Sequence, residues 1–255
     1  MEEKDMNAIE NLMLSHKSVR RFTDQPVSDE LLERVVRCGQ HAATSEFIQA
    51  YTIIKVTDPK VKAAIYNEVT SQKPILSAPV FLVFCADVSR LLRASEMNQR
   101  KAPESYLEYT ETFLMASVDT AIAAQNTVIA AESEGVGCTY IGGIRNNLPK
   151  VMELLSIPNG VYPLFGLVMG YPLENSDEAA KPRLPLDVVL KEEKYHTDGE
   201  EEQIRAYDEV IRQYYIDRTD GKRDETWSMQ MADFVEKPQR PFLKEVLGKQ
   251  GFLLK

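Results

Sequence analysis

The fold is decided by the stretch ESYLEYTETFLMASVDTAIAAQNTVIAAESE (104–134), which contains no Gly or Pro and is rich in Ala, Leu and Met. Gly135 follows it, at the place where a helix C-cap is expected. The pattern predicts a helix of about thirty residues, about 45 Å long. Because charges are sparse between 115 and 131, this helix is apolar nearly all round and needs cover on every side. It therefore lies at the centre of the fold or against a second subunit.

Strands and shorter helices are predicted on both sides of this segment. PVFLVFCAD (79–87) is almost continuously apolar, which is typical of a central strand covered on both faces. Ser28 is a candidate N-cap, followed by two acidic residues that the helix dipole favours. This order of elements predicts an α+β fold of three layers with a helical C-terminal region. The further strands are predicted at 50–57, 137–141 and 162–170, and the further helices at 6–16, 58–69, 149–155, 199–217, 227–236 and 241–247.

Composition excludes several classes of protein. The chain has 255 residues, with 30 basic and 39 acidic side chains and a net charge of −9, which argues against nucleic-acid or anionic-membrane partners. It has no run of about eighteen consecutive apolar residues of the kind that a membrane helix needs. Residues 1–15 lack the features of a secretion signal. Cys38, Cys85 and Cys138 are widely spaced and odd in number, which favours reduced thiols and a cytoplasmic location.

Common catalytic motifs are missing from the sequence. It has no GxxxxGK[ST] loop, GxSxG elbow, HExxH or paired CxxC, and with three histidines no metal site is expected. GVGCTYIGG (135–143) does not fit the dinucleotide fingerprint. Its third glycine position is Tyr140, and its glycines precede a strand rather than join a strand to a helix.

Three groups of cations stand out against the acidic background. HKSVRR (16–21) and KPRLP (181–185) combine charged donors with a hydroxyl or with stiffening prolines, as a phosphate site would. Arg218, Lys222 and Arg223 surround a predicted turn. Taken singly, each is also explained as a solvated helix end, a stiff surface linker or a basic turn.

The quoted segments, with AAQNTVIAAESEGVGCTYIGGIRNN (123–147), PLFGLVMGYP (163–172) and TDGKRDETWS (219–228), resemble the nitroreductase superfamily, in its oxygen-insensitive, NADPH-preferring nitroreductase and flavin reductase branch. The resemblance implies an α+β fold with a mixed central sheet flanked by helices, and a homodimer with the long central helix at its interface. It also implies tightly bound, non-covalent FMN. The implied domains are an FMN-binding core, 1–190, and a C-terminal helical extension, 191–255, that embraces the partner subunit.

The resemblance also assigns roles to single positions. Arg20 is expected at the pyrimidine edge of the flavin, where its charge would stabilise the reduced cofactor, and no side-chain nucleophile is expected. Gln72 would hydrogen-bond the flavin, and Thr44 and Ser45 would reach it from the other subunit. Arg218 and Arg223 would bind the extra phosphate of NADPH. The phosphate and ribityl contacts would come from His16, Lys17, Ser18, Lys181 and Arg183, and the contacts to the hydride-accepting edge from Tyr140, Ile141, Gly142 and Gly143.

The implied activity is ping-pong hydride transfer from NADPH through FMN to nitro compounds, free flavin, quinones or similar small-molecule acceptors. Flavin reduction as the main role is one alternative. A flavin-binding protein without turnover is another, and a colourless acidic interaction module is a third.

Overall fold

The computed structural model describes residues 6–174, 179–253 and 255. Over these residues the chain forms two compact units, one comprising Met1–Ser176 with Arg240–Lys255 and the other Asp177–Gln239. The second unit thus ends before residue 240, after which the chain returns to the first. The division of the chain at residue 190, with a C-terminal extension that embraces a partner subunit, stays a prediction.

The first unit is built on a sheet of four strands, β1 (Tyr51–Lys55), β2 (Val80–Asp87), β3 (Gly137–Ile141) and β4 (Val161–Gly170), in the order β1-β2-β4-β3. Neighbouring strands of this sheet pair antiparallel. A parallel bridge joins Ser18 to Cys138, so both senses of pairing occur around β3. Leu164 is the extra residue of a bulge in β4, and this bulge accommodates the neighbouring Pro163 inside the strand.

Strand β2 is buried along its whole length, as its apolar run predicts. Its side chains alternate between two cores. Leu82 and Phe84 pack with helices α2 (Asp29–Gln40) and α6 (Thr110–Ser133). Phe81 and Val83 pack on the opposite face, with helices that include α3 (Pro59–Glu68) and α7 (Leu148–Leu154). The predicted α+β fold with helices on both faces of the sheet is confirmed.

The long helix is shorter than its sequence predicts. Residues Glu104–Glu108 form a 3₁₀ turn, and Tyr109 is extended (ψ 135°), so α6 begins at Thr110 and spans 24 residues. By length and composition α6 could cross a membrane, but its inner face packs in this core. Its outer face carries Leu114, Val118 and Ile122, which are 53, 42 and 39% exposed.

Local sequence signals set several helix starts. Ser28 accepts a hydrogen bond from the Leu31 amide at the start of α2, and Asp58 caps α3 ahead of Pro59. Asn7 and Glu10 form a capping box on α1. The remaining helices are α1 (Ala8–Leu14), α4 (Pro74–Ser77), α5 (Ser89–Met97), α8 (Leu186–Val189), α9 (Glu200–Arg218), α10 (Trp227–Val235) and α11 (Leu243–Lys249).

Candidate active site

The segment 16–20 lies along the outer edge of β3. The Val19 amide donates to the Cys138 carbonyl at 2.9 Å, and the Thr139 hydroxyl donates to the Val19 carbonyl. A Cβ on Gly137 would lie 2.6 Å from Val19 Cγ2, so only glycine allows this close approach. Val19 is buried while Lys17 and Arg20 are exposed. The first cationic group is thereby fixed beside the strand that leads to the glycine turn.

His16 forms a pair with Glu132 near the end of α6. Its Nδ1 lies 2.7 Å from Glu132 Oε1, and the side chains are 29 and 12% exposed. Burial raises the pKa of Glu132, and the charge and hydrogen bond of His16 oppose that rise. Together with Lys17 the two side chains line a shallow pocket of about 160 Å³.

The glycine turn follows β3 directly, as a 3₁₀ turn over Gly142–Asn147. A Cβ on Gly143 would overlap the Thr70 hydroxyl and lie 3.0 Å from Gln72 Nε2, which places Gln72 against this turn. A Cβ on Gly142 would have Arg145 Nη2 as its nearest neighbour, at 3.6 Å. The structure therefore places the 16–20 segment against residues 137–139 of β3, and Gln72 against Gly143 in the turn that follows this strand.

Tyr140 stands at the open end of β3. Its hydroxyl lies 3.3 Å from Gln125 Oε1, and its ring meets Phe165 edge-on. Burial raises the pKa of Tyr140, so the phenol stays neutral at physiological pH. Burial likewise raises the pKa of the Cys138 thiol, which makes it a packed side chain rather than a reactive thiolate.

Thr44 and Ser45 occupy a constrained loop. Glu46, Phe47 and Gln49 adopt positive φ angles of 46°, 61° and 49°. Thr44 Oγ1 accepts from the Gln49 amide at 3.0 Å, so this hydroxyl stabilises its own loop. Non-glycine residues in this region are strained and persist only where their surroundings hold them.

Buried Asp119 of α6 holds this loop. Its two carboxylate oxygens accept from the Ser45 amide at 2.8 Å and the Ala50 amide at 3.3 Å. Arg90 donates to the Gln49 and Tyr51 carbonyls from the other side. Thr44 and Ser45 are thus joined to the middle of α6, and no hydrogen bond described for them runs to the Gly142–Asn147 turn.

In the second unit the KPRLP segment packs on α9. Tyr207 donates to the Pro182 carbonyl at 2.9 Å, and Arg183 donates to the Lys181 carbonyl at 2.6 Å. Lys181 Nζ lies 5.6 Å from the centroid of the Tyr215 ring. Burial raises the pKa of Tyr207, and the charge of Arg183 opposes this rise.

The third cationic group lies in the same unit and shares Tyr215. The Arg223 guanidinium lies 3.7 Å from the Tyr215 ring centroid and donates to Glu225 at 2.8 Å and to Gln230 at 2.9 Å. Arg218 donates to the Tyr214 hydroxyl at 3.0 Å. Arg223 is therefore held in a defined orientation by an aromatic face and two acceptors.

The motifs missed two residues, Arg145 in the glycine turn and Glu132 at the end of α6. Arg145 donates to the Leu164 carbonyl, in the β4 bulge, and burial together with neighbouring Arg240 lowers its pKa. Glu132 is the partner of His16. The sequence did contain a signal for Glu132. A glutamate at the C-terminal end of a long apolar helix is an anion in an unfavourable place, and it therefore needs a positively charged or donating partner.

The chain is similar to known proteins along nearly its whole length. The model of the nitroreductase family matches residues 13–171, and that of the nitroreductase family C-terminal domain matches 181–255. An FMN reductase (NADPH) from Bacillus subtilis is 43% identical over 248 residues, covering 96% of this chain and 98% of that protein. An oxygen-insensitive NADPH nitroreductase from Salmonella typhimurium is 40% identical, covering 94% of this chain and 96% of its own.

Among solved structures, a nitroreductase from B. subtilis superposes with a TM-score of 0.91 at 40% identity, covering 97% of this chain and all of its own. An NADPH:FMN oxidoreductase from Vibrio harveyi, complexed with NAD+, superposes with a TM-score of 0.84 at 32% identity, covering 98% of this chain and all of its own. Sequence models and folds agree along nearly the whole chain, and the chain belongs to the nitroreductase family.

Proposed function

We propose that this chain is an FMN-dependent NADPH oxidoreductase that transfers two electrons to nitro compounds, free flavin, quinones or similar acceptors. Relatives named as an FMN reductase (NADPH) and an NADPH nitroreductase support the reaction class. The observation that carries the proposal is the packing of the basic 16–20 segment against β3, the strand that leads directly into the glycine turn, where Gln72 lies against Gly143. Family membership supports flavin reduction and nitroreduction alike, so both remain in the proposal.

The residues at this place fit a flavin mononucleotide. His16, Lys17 and Ser18 offer cationic and hydroxyl donors to a phosphate, and Lys17 is exposed beside the shallow pocket. A Cβ on Gly142 would make only one ordinary contact, 3.6 Å from Arg145 Nη2, and in the proposal the flat ring lies where a side chain here would project. Gln72 offers an amide to the ring, and Lys181 and Arg183 of the second unit are the further phosphate ligands of the proposal. When bound, FMN supplies the hydride-accepting and electron-donating chemistry.

The chain itself supplies orientation and charge. Arg20 is an exposed cation that donates to the Ser18 carbonyl at 3.2 Å, close to the proposed flavin site. A fixed cation at the pyrimidine edge stabilises negative charge that develops there on reduction. Arg218 and Arg223 are proposed to bind the phosphate that distinguishes NADPH from NADH. Arg223 is pre-oriented for this by Tyr215 and Glu225.

The proposed assembly is a homodimer. Leu114, Val118 and Ile122 follow one another at four-residue spacing, so they form an apolar stripe along the outer face of α6. A second copy would cover this stripe, and its Thr44 and Ser45 would reach the flavin across the interface. The three cysteines are free, which supports a reducing, cytoplasmic location.

The dimer is tested by Val118→Lys, which places a charge in the stripe and is expected to produce monomers in analytical ultracentrifugation. Met97→Lys is the matched control, because Met97 is also exposed and apolar but lies on α5. A dimer that survives Val118→Lys at micromolar concentration argues against this interface.

The activity is tested by loading the protein with FMN and adding NADPH without oxygen. Rapid loss of the flavin absorbance is expected, followed by reoxidation on adding a nitroaromatic, a quinone or free FMN. A flavin that binds but is not reduced would favour the non-catalytic alternative. The absence of any flavin binding would remove the proposal.

The role of Arg20 is tested by Arg20→Ala, with the adjacent Arg21→Ala as a control of equal charge change. The first variant is expected to retain FMN, lower its reduction potential and slow its reduction by about tenfold or more. Equal reduction rates in the two variants would show that Arg20 has no specific role.

A further inference from the structure

Glu132 is an anion in an unfavourable place. It lies in the last turn of α6, where the carbonyl ends of the helix disfavour negative charge. Its side chain is 12% exposed, and burial raises its pKa. A buried carboxylate is costly unless it is paired. His16 offsets this cost, because its Nδ1 lies 2.7 Å from Glu132 Oε1.

The contact determines how the imidazole ring is presented. Because Nδ1 is committed to Glu132, a proton on Nδ1 is favoured and Nε2 is left for other contacts. The ring is 29% exposed and lines the same pocket as Lys17. Nε2 is therefore the ring nitrogen available to a ligand bound beside the 16–18 segment.

We propose that Glu132 is a positioning residue that holds the Nδ1–H of His16, and thereby directs Nε2–H of a doubly protonated ring at the phosphate of the flavin. This inference rests on the proposed function. A carboxylate on one side and a phosphate on the other both favour the cationic ring, which then donates to each of them.

Among the described groups around His16, Glu132 is the one that supplies negative charge to the ring. Lys17 is the neighbouring cation, and it lines the same pocket as His16. Cys138 and Tyr140, the titratable groups of β3 influenced by Glu132, have raised pKa values and stay neutral at physiological pH. They therefore supply no negative charge to His16, whereas Glu132 does.

A purely structural role is the competing explanation, since the pair also ties the end of α1 to the end of α6. Glu132→Gln separates the two, because glutamine keeps the shape and an acceptor oxygen but removes the charge. Glu134→Gln is the matched control. It removes the same charge two residues away, from an exposed carboxylate that pairs with Arg34 at 3.0 Å.

The measured quantity is the Kd of FMN for the apoprotein, determined from the quenching of flavin fluorescence. It is measured from about pH 7 to about pH 9, where the FMN phosphate is largely dianionic. Glu132→Gln is expected to weaken FMN binding about tenfold near pH 8, as loss of a charge-assisted contact would. Glu134→Gln should match the wild type, and an equal Kd in both variants overturns the proposal.

A double-mutant cycle with His16→Gln gives the decisive comparison. If Glu132 acts through His16, Glu132→Gln has no further effect on the Kd in the His16→Gln background. A loss of the same size in that background identifies a structural role and overturns the proposal.

Nitrogen NMR of the wild-type apoprotein at high pH tests the same idea without flavin. The neutral ring of His16 is expected to carry its proton on Nδ1, and a proton on Nε2 overturns the proposal. If the tautomer is as expected but the wild type binds no FMN, the pairing with Glu132 stands and it is the proposed flavin function that fails.

Discussion

Gly142 and Gly143 are adjacent, yet the structure predicts opposite consequences for an added methyl group. At Gly143 the new Cβ would overlap the Thr70 hydroxyl and lie 3.0 Å from both Thr70 Cβ and Gln72 Nε2. Thr70 is 7% exposed, so it has little room to move away. Overpacking of this kind costs about 1–3 kcal/mol. Gly143→Ala is therefore expected to lower the free energy of unfolding by that amount.

Gly142→Ala is the matched variant, because its Cβ would make only an ordinary contact, 3.6 Å from Arg145 Nη2. Its free energy of unfolding should stay within about 0.5 kcal/mol of the wild type. Under the proposed function the same methyl group would project into the space for the flavin ring. Gly142→Ala is thus expected to weaken FMN binding without destabilising the apoprotein.

The assay is thermal and urea unfolding of both apoproteins, followed by FMN titration. A loss of 1 kcal/mol corresponds to about 2–4 °C in the melting temperature of a chain of this size. Adding Thr70→Ala to Gly143→Ala removes the overlapped hydroxyl and should restore part of the stability. An undiminished melting temperature in Gly143→Ala would refute the packing. Unchanged FMN affinity in Gly142→Ala would refute the proposed position of the ring.

Three further predictions concern Asp119, the third group of cations and the cysteines. In Asp119→Asn the carboxylate that accepts from the Ser45 and Ala50 amides becomes an amide with one neutral oxygen and one N–H₂ group. One of the two backbone donors then loses its acceptor, so the free energy of unfolding measured in urea should fall by about 1–3 kcal/mol. Removing both Arg218 and Arg223 should raise the KM for NADPH and leave the KM for NADH nearly unchanged, whereas Arg205→Ala, from an exposed pair on α9, should change neither. Cys38 is exposed, whereas burial raises the pKa of the Cys85 and Cys138 thiols, so a thiol reagent at pH 8 should label the native protein at Cys38 alone. Labelling at two or three cysteines would contradict this prediction.

Local signals in the sequence predicted most elements and failed where the cause was not local. The cap at Ser28 and the apolar run of β2 predicted their elements because both depend on neighbouring residues or on burial of whole segments. The start of α6 was placed too early, because the break at Tyr109 involves neither Gly nor Pro. Helix α5 (Ser89–Met97) was not predicted; it is short and mostly polar.

The candidate site shows the same limit more strongly. The 16–20 segment joins β3 through a main-chain hydrogen bond from Val19 and a bond from the Thr139 hydroxyl, across about 120 positions, and sequence patterns do not reveal such pairing. Only the resemblance to a family suggested that the cations and the glycine turn act together. His16 could be singled out as a candidate ligand, whereas its carboxylate partner became evident only when α1 and α6 were seen to meet there.

Tyr215 determines how substitutions in the second unit should be interpreted. Its ring is buried, with the Arg223 guanidinium 3.7 Å and Lys181 Nζ 5.6 Å from its centroid. A cation proposed for the NADPH phosphate and one proposed for the FMN phosphate thus share one aromatic ring. Groups that share a partner do not respond additively to substitution. Reduced FMN affinity in an Arg223 variant is therefore expected from the packing, and the role in selecting NADPH has to be judged from the ratio of NADPH to NADH efficiency with the flavin site saturated.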